Sequence, residues 1–168
     1  MSKAQTVLVI DTGQGIVGIY SVRARRYRCY RGGEIAQAVR LIQGADEIVT
    51  YNGNHADLLD LGEFAGMGRV ALPLKGKHTD MREVCWSNRI WGSNLHNTYL
   101  MHYQKLPPYK DTHEGCNRLD CVTTFRLWKL WKAGRLKVLD GNATQQRAPE
   151  RRPRFARVPS PAARAWRA

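Results

Sequence analysis

Three aspartates stand where separate segments of the chain would end or turn. Asp11 closes "QTVLVID", Asp57 lies in "TYNGNHADLLDLGEF", and Asp120 sits inside "THEGCNRLDCVTTFRLWKLWKAG". Carboxylates drawn from distant segments are what phosphodiester hydrolysis by two divalent cations requires. The ions lie roughly 3.5–4 Å apart, activate a water and stabilise the leaving oxygen. Hard cations such as Mg²⁺ take oxygen ligands of this kind and complete their shells with water and phosphate. Each aspartate also has a simpler explanation. Asp11 could cap a turn, Asp57 could sit favourably at a helix N-terminus, and Asp120 could be a solvated helix residue. Taken singly the simpler readings win; taken together with the element order, a shared site is favoured.

The elements that must position these residues can be read from hydrophobic period and punctuation. Residues 5–11 read as a buried strand, "GIVGIYSV" (15–22) as a second, and "RRYRCYRG" (25–32) as a half-exposed third. Short turns between them imply an antiparallel three-strand meander. Residues 33–44 carry Ile35, Val39 and Ile42 at helical spacing and close on Gly44. "DEIVTYN" (46–52) returns as a short apolar strand, and 54–65 form a helix whose polar start suits N-terminal capping by Asn or Asp.

"GRVALPLKG" reads as an irregular connection with room for a short strand. Helices are expected over 79–90, capped by Thr79, over 93–104, and over 112–134. The last has Cys121, Val122, Phe125 and Trp128 as its apolar stripe. The order β-β-β-α-β-α followed by helices is the opening order of the ribonuclease H-like fold. The expected fold class is therefore α/β, a mixed sheet of a three-strand meander plus a parallel strand, flanked by helices.

At this point the motifs resemble a family. "VIDTG", "YNGNHADLLDL" and "NRLDCVTTFRLW" are similar to the three exonuclease motifs of the DEDD superfamily of 3′–5′ exonucleases. The likeness is strongest to the proofreading domains of family B polymerases and to stand-alone bacterial exonuclease-like proteins. It spans roughly residues 5–134. The middle motif is the most specific, with Tyr51, Asn52 and Gly53 leading to Ala56-Asp57.

The resemblance implies that Asp11 binds both metals while Asp57 and Asp120 complete the cage, holding Mg²⁺ or Mn²⁺. It implies that Asn52 and Thr12 touch the nucleic-acid strand near the scissile end. Asp80 matches an acid often found between the second and third motifs; Thr79-Asp80 as an ordinary helix start is an equal alternative.

Two positions depart from the family's pattern. Its first motif reads Asp-x-Glu, and here the third position is Gly13. Its third motif carries a Tyr four residues, or a His five residues, before the Asp, and here those positions hold Cys116 and Gly115. His113 lies two helical turns before Asp120 and could orient a water if the helix starts early enough; a surface histidine is the alternative. Two functions follow from this mixture. One is a metal-dependent 3′–5′ exonuclease acting on single-stranded DNA or RNA. The other is a degenerate exonuclease-like domain that binds nucleic acid or a protein partner without cutting.

Composition agrees with a polyanion partner. Lys and Arg number 27 against 14 Asp and Glu, for a net charge of +13. Residues 141–168 hold seven of the arginines and one glutamate, so the remainder is basic in its own right. Arg23, Arg25, Arg26, Arg28 and Arg31, interleaved with Tyr20, Tyr27 and Tyr30, suit phosphate contact with base stacking. Protection of an edge strand by charge explains them equally well. Trp86, Trp91, Trp128 and Trp131 read as core or partner-facing anchors.

The four cysteines form no C-x-x-C pair and read as free buried thiols. No apolar run reaches membrane-spanning length, so no membrane partner and a cytoplasmic location are expected. The chain divides into an exonuclease-like domain, 1–138, and a basic, flexible Arg/Pro/Ala-rich tail, 139–168. The tail could bind phosphate or dock on a protein partner through Phe155 and Trp166.

Overall fold

Alternating apolar residues in "VLVIDTG" send Leu8 and Ile10 to one face of a strand and Val7 and Val9 to the other. That division organises the whole molecule. In the computed structural model, which describes residues 5–88, 94–105 and 111–136, β1 (Val7–Gly13), β2 (Ile16–Ser21) and β3 (Arg26–Arg31) form the expected antiparallel meander. Gln14 and Gly15, both at positive φ, make the two-residue turn between β1 and β2. After α1 (Ile35–Gln43), β4 (Glu47–Thr50) pairs parallel to β1. After α2 (Asp57–Phe64), β5 (Lys77–Asp80) pairs parallel to β4. The sheet order is β3-β2-β1-β4-β5. Three helices follow: α3 (Met81–Ser87), α4 (Leu95–Tyr103) and α5 (His113–Lys132).

Residues of α1 and α2 (Ala38, Val39, Ile42, Leu58 and Leu61) pack with Leu8, Ile10, Val17, Ile19 and Ile48 on one face of the sheet. On the other face Met81 of α3 and Leu127 of α5 pack with Val7, Val9 and Val49, with Tyr20, Tyr51, Phe125 and Trp128 at the margin. The mixed sheet with helices on both faces is the expected α/β class. The tail, its boundary at 138/139, Trp91, Phe155 and Trp166 lie outside the described residues. Among the described residues no helix is long and apolar enough to cross a membrane.

Several local expectations need correction. "KHTD" contains no aliphatic residue, yet it is a strand. Thr79 is buried in β5, where its hydroxyl donates to Glu47 Oε1 at 2.8 Å. Trp128 Nε1 donates to the same oxygen at 3.2 Å, and Lys132 Nζ stands 3.5 Å from Oε2. A buried carboxylate is tolerable only when it is paired and hydrogen-bonded, and Glu47 is both, joining β4, β5 and α5. The cap of α3 is accordingly Asp80, accepting from Arg82 N at 2.9 Å, and not Thr79. Gly44 ends α1 in the right-handed region, without the left-handed turn its position suggests.

The stripe of α5 is also differently placed. Its buried face holds Asn117, Cys121, Thr124 and Leu127, while Val122, Phe125 and Trp128 are part-buried beside it. The reason is close approach. A Cβ on Gly18, in β2, would fall 1.6 Å from Asn117 Oδ1 and 2.9 Å from the Tyr27 ring. Only glycine lets α5 lie this near the sheet. Gly18→Val should therefore lower unfolding stability by about 3 kcal/mol in urea titration. Asn117→Ala in the same chain should return part of that loss, because the two sites share one space.

Candidate active site

The parallel strands β1 and β4 end side by side, and open α/β sheets bind ligands at such carboxyl ends. Asp11 is the residue of β1 there. It pairs across the sheet with Gly18, so its side chain faces α5, whose approach Gly18 permits. Asn117 on α5 donates from Nδ2 to the Asp11 carbonyl at 2.8 Å and accepts from Tyr27 Oη at 2.8 Å. One turn further along α5 is Asp120. The helix is thus pinned to the strand one turn from the residue that must face it.

From the other side, α2 brings two acids. Asp57, the first helical residue and 3% exposed, does not cap its helix, and no side chain does. Its Oδ1 instead accepts from Thr12 N at 2.8 Å and from Thr12 Oγ1 at 3.0 Å. Asp60, one turn later, has Oδ2 at 2.9 Å from the same Thr12 hydroxyl. A hydroxyl has one proton to give, so this pair of carboxylates shares a single Thr12 donor.

The electrostatics follow from this crowding. Burial, then the charges of Asp57, Asp120 and Asp60, push the Asp11 carboxyl well above the ordinary range. Asp57 is pushed up to about 6, chiefly by burial, with Asp60 and Asp80 adding to it and the two Thr12 bonds opposing. Asp11 thus feels the charges of three other carboxylates near the end of β1.

Two residues of this site were not anticipated from the sequence. Asp60, inside α2, carries no motif of its own. His96, on α4, stands with Nε2 2.9 Å from Asp120 Oδ1, the ring N–H donating when the carboxylate is ionised. His113 is exposed at the first position of α5, roughly 10 Å along the helix axis from Asp120.

Asn52 and Asp80 belong to the wall of the site. Asn52 has φ of 73°, a conformation asparagine tolerates better than most residues. Its Oδ1 accepts from Arg82. Asp80 accepts from Asn52 N at 2.8 Å and Asn54 N at 3.1 Å as well as from Arg82 N, so its oxygens clamp the loop. Gly53 is required inside that loop, because a Cβ there would meet Thr50 Oγ1 at 2.2 Å.

Among the described residues no three His, Cys, Asp or Glu side chains already surround one point as ligands of a metal ion. The donor chemistry does suit a hard cation. From the described residues, Asp57 Oδ2, Asp60 Oδ1, Asp120 Oδ2 and both oxygens of Asp11 accept no hydrogen bond. Each carboxylate keeps at least one oxygen uncommitted, and their mutual repulsion is what a cation would relieve.

Of the basic residues of the meander, Arg31 lies level with Gly13 at the same end of the sheet, two strands out from β1. β3 is the outer strand of the sheet, and its Arg28 and Arg31 form exposed ion pairs with Glu34 and Glu114. A cavity of about 530 Å³ lined by Leu8, Ile19, Arg28, Tyr30 and Leu41 also includes Thr6, at the end of β1 away from the acids.

No protein-family model matches the chain, and no curated protein matches it. A solved structure does: the family B DNA polymerase from the hyperthermophilic archaeon Pyrobaculum calidifontis. The TM-score is 0.55 at 16% identity, over 77% of this chain and 25% of the polymerase. The chain thus spans about a quarter of that protein's length, and the likeness is one of fold.

Proposed function

We propose that the chain is a metal-dependent 3′–5′ exonuclease acting on single-stranded nucleic acid. The observation that carries this reading is Asp11 with Asp57, Asp60 and Asp120 about it, at the carboxyl ends of parallel strands. The fold likeness to a family B polymerase and the three motifs support it; the 3′ polarity rests on the motifs alone. Asp11, Asp57 and Asp120 would hold Mg²⁺ or Mn²⁺, and Asp60 adds the fourth carboxylate on the α2 side. Bound there, the ions would supply a nucleophilic water at neutral pH and charge stabilisation for the leaving oxygen. Thr12 fixes the Asp57 and Asp60 carboxylates. His96 orients Asp120.

The test is incubation of 5′-labelled single-stranded DNA and RNA with Mg²⁺ or with Mn²⁺, alongside the Asp11→Asn protein. A ladder shortening from the 3′ end, lost in the variant by at least about 10³-fold, is the expected result. Intact substrate under both ions would sink the reading. A second reading, binding without hydrolysis, draws on Gly13 and on the unconverged side chains. It predicts that intact oligonucleotide still shifts in a gel at low salt.

A further inference from the structure

The α3 helix buries Met81 and Cys85 and leaves Trp86 68% exposed, more than any other large apolar side chain among the described residues. An indole left this open forgoes the burial that usually stabilises a tryptophan. Its neighbours give it a cationic setting. Arg82, one turn earlier, has its guanidinium carbon 6.0 Å from the Trp86 ring centroid and donates to Asn52 Oδ1. The nearby acid Glu83 is engaged by Asn54 Nδ2. Asp80 fixes this loop and α3 to each other through three backbone N–H groups.

The same loop leads directly into Asp57. The indole, the guanidinium and the carboxylates are thus joined by one short, clamped stretch of chain. The other exposed apolar residues on this side in sequence, Phe64 at the end of α2 and Met67 and Val70 after it, belong with a helix that packs on the opposite face of the sheet. Among the described residues Trp86 is therefore no part of a continuous apolar patch of the kind a protein partner covers.

We propose that Trp86 and Arg82 form a stacking subsite for a base of single-stranded nucleic acid, beside the path to the carboxylates. The proposal rests on the nucleic-acid part of the functional reading and not on hydrolysis. The acid cluster repels phosphate, so an approaching strand needs attraction from outside it. A base on the indole face and a phosphate near Arg82 supply that without reading sequence, since every base has a π-face.

The experiment is fluorescence anisotropy of a labelled oligothymidylate with the full chain in EDTA, where no cleavage occurs. Trp86→Ala should bind about tenfold more weakly with an unchanged salt slope, and Trp86→Phe should retain most of the affinity. Arg82→Lys should keep the slope, while Arg82→Ala should lower it by about one. Both Trp86 variants should melt as the wild type does, because the side chain is exposed. Equal affinity of Trp86→Ala and wild type, or no binding by the wild type, overturns the proposal. A chain that binds through Trp86 yet cuts nothing overturns only the exonuclease reading.

Discussion

In EDTA at pH 7.5 the Asp57→Asn protein should melt higher than the wild type, although it cleaves nothing. Asp57 titrates at about 6 in the folded chain against an ordinary 3.8, raised mainly by burial. For a carboxyl raised in this way, the favourable contribution is complete below the unfolded value. It is lost as pH climbs from about 4 through 6, where the folded chain must keep a proton the unfolded chain has given up. At neutral pH the shift amounts to a penalty on the order of 2–3 kcal/mol.

The amide removes the charge and still offers Oδ1 to Thr12 N, so the bond that anchors α2 to β1 survives. A gain of about 6 °C is expected for a chain of this size. The gain should vanish by pH 3, below the ordinary 3.8, where the carboxyl is largely protonated in both states. At pH 7.5 Mn²⁺ should separate the two proteins in the opposite sense. The wild type should rise by about 3 kcal/mol at a hundredfold excess over its dissociation constant, and the variant by little. A variant that melts below the wild type in EDTA would overturn the penalty at Asp57, and one that gains equally from Mn²⁺ would remove Asp57 from a metal-binding role. A site that destabilises its own apo fold is the usual companion of activity.

How much of this was legible beforehand differs from residue to residue. Asp11, Asp57 and Asp120 announce themselves because each follows a strong local pattern: a buried strand, a strand-to-helix turn, a long amphipathic helix. The meander and α1 are equally local, and their order was enough to expect the mixed sheet. Asp60 was legible in principle. It stands three residues after Asp57, and that spacing places two side chains on one helix face.

β5 was hidden because its burial is polar. Thr79 and Glu47 satisfy each other inside, leaving no apolar period to detect. The stripe of α5 was misplaced for a related reason. Where the helix nearly touches β2 across Gly18, small and polar residues fill the interface and the large aromatics move to its edge. His96 had no local signal. It reaches Asp120 only because α4, tied by Thr98 to Tyr51 at 2.8 Å, is laid against α5, a fact of tertiary packing alone.

Gly13→Glu should raise the cleavage rate on the order of 10²-fold. Gly13 lies two residues beyond Asp11 on β1, so a side chain there points to the same face, toward Asp120 and away from Asp60. A Cβ at this position meets nothing within 4 Å, and its φ is not left-handed. The substitution therefore adds a carboxylate without steric cost, on the side of Asp11 that has the fewest acids. It should also add to the repulsion that already raises the Asp11 carboxyl.

In EDTA at neutral pH the variant should melt below the wild type by a few degrees, and Mn²⁺ should stabilise it more than it stabilises the wild type. The two effects have one origin, since the charge that destabilises the empty cluster is the charge that holds a cation. A rate that rises with no larger Mn²⁺ effect would mean the glutamate acts on the water alone. A variant unchanged in both would show that the end of β1 is not where the chemistry occurs. If the wild type binds without cutting, the variant should acquire the 3′-end ladder that the wild type lacks.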